Sequence, residues 1–249
     1  MLKKTCTLMI FLACAICSGA QVKTVVSAQQ IWTGYLNQTR FSERWGAWFD
    51  VQLRTRDDFF EDLSAFMIRP GITYYMGDAT KLTAGYAYIL SLPPGSQKVE
   101  QPENRLWQQV QWHTKYSRLR TMQMIRLEER FKRRLLNDST LGTGNDFNWR
   151  IRYNFLLQLP LTKKGTGRGG LSFIANDEIH INFGKEIIHN YFDQNRFFLG
   201  LAYHVNQSDN IQFGYTNVFQ QLASPNRYRS INAARILYFH NLDLRRDNH

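Results

Sequence analysis

The sequence predicts an all-β protein: an antiparallel up-and-down transmembrane β-barrel of twelve strands, with ten as the alternative count. It forms one domain over residues 21–249, behind a signal peptide at 1–20. Three observations predict this. Apolar and polar side chains alternate at period two along nearly all of the chain after residue 20, as they do in strands with two unlike faces. Most alternating segments exceed the ~5–6 residues usual in soluble proteins and match the ~9–11 of a strand tilted across a bilayer. The connections between them alternate short and long, except that Thr162 to Gly170 is longer than its class, as in barrels with short periplasmic turns and long external loops.

The N-terminus carries an export pattern. Lys3 and Lys4 precede the charge-free apolar run Thr5 to Cys17, and Ser18-Gly19-Ala20 supplies the small residues of a cleavage site before Gln21. The run is too short for a spanning helix, which needs ~20 apolar residues. A retained anchor and lipid attachment at Cys14 are the alternatives. Cys6, Cys14 and Cys17 all fall in this segment, so the exported chain has no cysteine for a disulfide or a thiolate metal site. Cleavage also removes two lysines from a formal charge of +11, which leaves the chain basic. Basic charge suits lipopolysaccharide or anionic small solutes, and export argues against nucleic acid as a partner.

The clearest strand is Trp45 to Arg56. Trp45, Ala47, Phe49, Val51 and Leu53 share one face, while Gly46, Trp48, Asp50, Gln52, Arg54 and Arg56 share the other. Phe147 to Leu159 alternates in the same way, with Arg150 and Arg152 on its polar face. Leu171 to Phe183 follows, with Ser172, Asn176, Glu178, His180 and Asn182 polar and Asp177 a misfit among the apolar positions. Further strands are expected at 29–41, 63–76, 81–91, 105–116, 120–131, 195–205, 211–221 and 232–244. The longer connections are 57–62, 92–104, 132–146, 184–194 and 222–231. The segments number eleven. A bacterial single-chain barrel ordinarily has an even number, so Val22 to Ala28 is expected as an extra edge strand, or else one segment is not a strand.

The alternation alone fits a soluble barrel turned outside in, or a membrane barrel with a polar lumen. The membrane reading is preferred because the polar faces carry many arginines with acids able to pair with them, and because Trp, Tyr and Phe gather near strand ends. Asp50, Arg54, Arg69, Arg126, Glu128, Arg130, Arg150, Arg152, Glu178, His180 and Arg196 are the predicted lumen-lining residues. Arg126, Glu128 and Arg130 form a charge ladder on one strand, with Arg150 and Arg152 on the next. This is either a basic lumen that attracts anions or a salt-bridged plug that fills a narrow barrel.

Two other patterns lead elsewhere. Gly165-Thr166-Gly167-Arg168-Gly169-Gly170 matches the dinucleotide fingerprint, but a strand and not a helix follows it, so it is expected to be a turn. Ser172, Glu178 and His180 share a strand face, yet Ser172 lies eight residues from His180, too far for contact at ~3.3 Å per residue. A hydrogen-bond network is the expected role, and no catalytic residue is assigned. The histidines lack metal-ligand spacing, so neither a metal nor another cofactor is expected.

Several stretches also resemble a family of exported Gram-negative proteins of similar length, known as a domain of unknown function and regarded as outer-membrane barrels. They are Trp32 to Phe41 followed by Trp45-Gly46, Arg126-Leu127-Glu128-Glu129-Arg130, Asn176-Asp177-Glu178-Ile179 with Asn182-Phe183-Gly184, Phe192-Asp193-Gln194-Asn195-Arg196 with Gly200, and His240-Asn241-Leu242-Asp243-Leu244. The resemblance implies a barrel, outer-membrane location and contact with the barrel-assembly machinery, and no activity. One departure is that many such barrels end on an aromatic residue, whereas here the last strand ends at Leu244. The expected function is an integral outer-membrane protein and not an enzyme: a scaffold, or a narrow channel whose basic lumen favours anions. An outer-membrane lipid hydrolase and a soluble periplasmic ligand-binding barrel are the alternatives.

Overall fold

A computed structural model describes residues 23–56, 62–93 and 98–245; the predicted signal peptide lies outside the described residues. Eleven strands follow in order: β1 Thr24–Arg40, β2 Trp45–Thr55, β3 Leu63–Tyr75, β4 Thr80–Ser91, β5 Gln101–Tyr116, β6 Leu119–Asn137, β7 Thr140–Pro160, β8 Gly170–Phe183, β9 Phe192–His204, β10 Asp209–Gln221 and β11 Arg227–Asp243. Each pairs antiparallel with the next, and β1 pairs with β11, so the sheet closes into a barrel with no free edge.

The closing pair is parallel, in unbroken register from Thr24↔Arg227 to Arg40↔Asp243. Simple topology requires this. Consecutive hairpins reverse direction at each turn, so the first and eleventh strands run the same way. The expectation of twelve strands, or ten, is therefore corrected to eleven. Thr24 to Ala28 does not form a strand of its own but is the beginning of β1. No glycine or proline stands between Ala28 and Trp32 to reverse the chain.

A second correction concerns 132–146, expected as a loop. β6 runs on to Asn137 and β7 begins at Thr140, with the Asn137 carboxamide oxygen accepting from the Ser139 backbone N–H at 2.9 Å in the turn. Pairing of β5 with β6 ends at Glu103↔Lys132, and pairing of β7 with β8 at Trp149↔Phe183. Past those points β6 and β7 pair as a two-stranded ribbon on the long-loop side, tied to neighbouring segments where Lys98 N–H donates to the Asp138 carbonyl at 2.7 Å, Gln101 Nε2 to the Arg133 carbonyl at 2.7 Å and Phe147 N–H to Glu186 at 2.9 Å.

The alternation sorts faces as the pleat requires. Trp45, Phe49, Ile151 and Phe155 are exposed on the outside; Asp50, Arg126, Glu128 and Arg150 are buried inside. At ~3.3 Å per residue and a tilt near 40°, the eleven residues of β2 rise roughly 25 Å, the height of an outer-membrane apolar band. Rings collect at both ends of the outer wall. Trp45 and Tyr74 meet edge-on at the short-turn end, and Phe147, Trp149 and Phe183 make contact across β7 and β8 at the long-loop end. Asp177 does face outward, where the Asn195 amide donates to its carboxylate at 2.9 Å.

The interior is not uniformly polar. Trp107 lies across the facing pair Gly71↔Gly85, and Phe198 across Gly200↔Gly214. A Cβ on Gly85 would come within 2.2 Å of the Pro70 carbonyl and 2.8 Å of the Trp107 ring, so only glycine leaves room for the indole there. The 165–170 segment is a turn between β7 and β8, with Gly165 and Gly169 at positive φ; a strand follows it, and the helix that phosphate binding needs is not there.

Candidate functional site

Cross-strand pairing brings the charged inward positions together. Glu128 stands opposite Arg150, Arg126 opposite Arg152, Arg152 opposite His180, and Glu178 opposite Arg196. On the long-loop side of the interior these residues form a continuous network. Arg150 donates to Glu128 Oε2 from Nε at 2.9 Å and from Nη2 at 2.5 Å, and to Asp193 Oδ2 from Nη1 at 2.8 Å. Arg152 bridges two acids, reaching Glu128 Oε1 at 2.8 Å and Glu178 Oε1 at 2.5 Å. Glu103 accepts from both Arg105 and Arg130 at 2.6 Å. His180, fully enclosed, places Nε2 3.0 Å from Glu178 Oε2. Desolvation of so many charges is tolerable because each of Glu103, Glu128, Glu178 and Asp193 is bonded to at least one guanidinium. The network forms an ionic plug.

Beside it lies a smaller group. Asp50 accepts from Trp48 Nε1 at 2.6 Å and from Arg69 Nε at 2.7 Å. The Trp107 ring sits between the Arg69 and Arg126 guanidinium groups, at 5.5 and 4.7 Å, a cation–π arrangement. Arg126 bonds Gln109 Oε1 from Nε at 2.9 Å.

Toward the short turns the interior opens into a vestibule of about 1050 Å³. Its floor includes Arg126, Arg152, Glu178, Arg196 and Arg235, and Trp32, Leu36, Phe198, Leu237 and Phe239 add apolar wall. Two floor cations stack on rings: Arg235 lies 3.4 Å from the Phe198 centroid and Arg196 5.3 Å from Trp32, while Arg54, near the loop end of β2, lies 3.9 Å from the same Trp32 ring. At the rim, Arg40 pairs with Asp78 at 2.6 Å and lies over Tyr75 at 4.3 Å. The Arg40 hydrogen bond holds the Asp78 carboxyl below its ordinary pKa. Lys81 bonds the Gln38 side chain on the vestibule wall.

The predicted lumen residues thus all point into the barrel but divide among three settings. Glu128, Arg130, Arg150, Arg152, Glu178 and His180 belong to the plug, Asp50 and Arg69 form their own pair, and Arg54, Arg126 and Arg196 face less compensated space. Glu103, Arg105 and Asp193 are network members missing from the predicted set. Glu103 fell in a segment read as loop, although it continues the inward parity of Arg105 and Trp107. Asp193 follows a register shift between His180 and Ile181 that buries Asp193 and Gln194 in succession, and parity could not reveal it. Ser172 meets His204 and not His180: its Oγ lies 3.1 Å from His204 Nε2, and both contact Gln158. Ser172 is fully enclosed.

A family described as "Protein of unknown function (DUF2490)" matches residues 29–229, a span from β1 to the start of β11. The chain belongs to this family. The matched span includes every residue of the plug. An uncharacterised protein of Methylorubrum extorquens is 25% identical over 212 residues, covering 82% of this chain and 84% of its own length. No solved structure matches.

Proposed function

We propose that this DUF2490 barrel is an integral outer-membrane protein whose basic interior admits anionic solutes from the short-turn side and is occluded on the loop side by the ionic plug. The observation that carries this reading is the division of the wall. The outward face is a band of Phe, Leu, Ile, Tyr and Trp of bilayer height, and the inward face holds arginines paired with acids. A soluble barrel would need the opposite arrangement. Lipid and lipopolysaccharide then surround the wall, and the barrel-assembly machinery inserts it. The Ser172–His204–Gln158 cluster is read as part of the interior hydrogen bonding, since an enclosed hydroxyl offers no face to a lipid ester.

Fractionation of cells together with heat-modifiable gel mobility tests the location. The protein is expected in the outer membrane with a compact form that shifts on boiling; recovery in the aqueous periplasm overturns the proposal. Planar-bilayer recording tests the occlusion. The wild type is expected to show no steady conductance, and an Arg150→Ala/Arg152→Ala variant to show anion-preferring steps. Steady wild-type current, or cation preference in the variant, contradicts the plugged basic interior.

A further inference from the structure

We propose that the vestibule floor is a binding site for an amphipathic anion: an oxyanion head, carboxylate or phosphate, on a short apolar body. The proposal deepens the reading of a basic, occluded interior by naming the ligand class and the side chains that hold it.

The first observation is unpaired donors. Among the described residues, Arg126 Nη1, Arg196 Nε and Arg235 Nε are enclosed nitrogens with no hydrogen-bond partner. All three side chains line the vestibule. Arg126 is 2% exposed, so its guanidinium is committed to the interior and cannot swing out to solvent. Its Nη1 lies 3.9 Å from Glu128, beyond a hydrogen bond. A buried charged donor left without an acceptor is costly, and an incoming oxyanion removes that cost.

The second observation is the charge balance at this depth. Among the described residues, Glu178 is the one carboxylate on the floor. Arg152 holds its Oε1 from two nitrogens and His180 faces its Oε2, while Arg196 stays 3.9 Å away. Glu178 therefore has little left to offer Arg196 or Arg235, and the floor keeps a net positive field within low-dielectric walls.

The third observation is shape. The cavity is large for an inorganic ion and lies at the upper end of the range for small-molecule sites. Above the arginines, Trp32, Leu36, Phe198 and Leu237 present apolar surface. A bare phosphate would leave that surface wet; a head with a hydrocarbon body covers it.

The test uses the purified, folded barrel in a nonionic detergent, so a failed membrane fractionation leaves it untouched. Isothermal titration calorimetry compares hexanoate, hexyl phosphate, hexan-1-ol, hexylammonium and inorganic phosphate. Hexanoate, hexyl phosphate or both are expected to bind one per barrel, at least about tenfold tighter than hexan-1-ol or hexylammonium. The stronger of the two anions identifies the head. Equal binding of hexan-1-ol overturns the role of the arginines, and inorganic phosphate binding as tightly as hexyl phosphate overturns the role of the apolar wall. Arg196→Gln and Arg235→Gln are each expected to weaken the anions about tenfold and leave hexan-1-ol unchanged; unchanged anion affinity in both refutes the site. Should either variant lose its compact gel form, the ligand series on the unaltered protein still decides.

Discussion

Arg150 and Arg235 occupy equivalent inward positions in one barrel and live in different worlds. Arg150, on the loop side, bonds two carboxylates, and one of them, Glu128, also bonds Arg152. Arg235, in the vestibule, stands 3.4 Å over the Phe198 ring and has an enclosed nitrogen with no acceptor. What separates plug from vestibule is thus not the distribution of arginines, which run through both, but that of acids. Glu103, Glu128, Glu178 and Asp193 cluster on the loop side, and each converts neighbouring cations from ligands-in-waiting into structure.

The sharpest way to break this contrast is Glu128→Gln. Glu128 binds Arg150 and Arg152 and lies 3.6 Å from Arg105. Losing its charge strands buried cations and is expected to destabilise the barrel by about 3–5 kcal/mol, read from urea unfolding followed by gel mobility. A loss under 1 kcal/mol would mean the plug is not a coupled unit. Next in size is Ile151→Lys, which puts a cation on the outer wall between the inward Arg150 and Arg152. In lipid it is expected to cost roughly 2–4 kcal/mol; no cost would place that face against water. Gly85→Ala disturbs the seat of Trp107 at the boundary of the two halves and is expected to cost about 1–3 kcal/mol by overpacking, visible as altered near-ultraviolet circular dichroism. Arg235→Gln should change stability by no more than about 1 kcal/mol, because only a ring contact is lost. If it matched Glu128→Gln, the division of the interior would fail. The smallest effect is expected from Asp78→Asn at the vestibule rim. Arg40 depresses the Asp78 pKa, so its contribution is present above the ordinary carboxylate range and disappears as pH falls through the folded-state value. The wild type should lose slightly more stability than the variant on acidification, and parallel pH profiles would show that the rim pair contributes nothing.

Much of the fold was legible because a strand wall repeats one rule. Trp45 to Arg56, Phe147 to Leu159 and Leu171 to Phe183 each declare their two faces residue by residue, and all eleven segments recur as strands. What misled was the count. Parity of strand number is a statement about the whole sheet, and the one local sign that Val22–Ala28 runs on is the lack of a glycine or proline between Ala28 and Trp32. The site was legible in its arginines but only partly in its partners. Glu128 and Glu178 stand in alternating runs, whereas Asp193 depends on a bulge. That Ser172 finds His204 and not His180 depends on the register between β8 and β9, which no single strand encodes.

The parallel seam carries one more consequence. Because β1 and β11 travel together, Thr24 lies beside Arg227 at the loop mouth and Asp243 beside Arg40 at the turn mouth. The described chain enters at one rim of the cylinder and leaves at the other, so labels placed at Thr24 and Asp243 would report from opposite ends of the barrel.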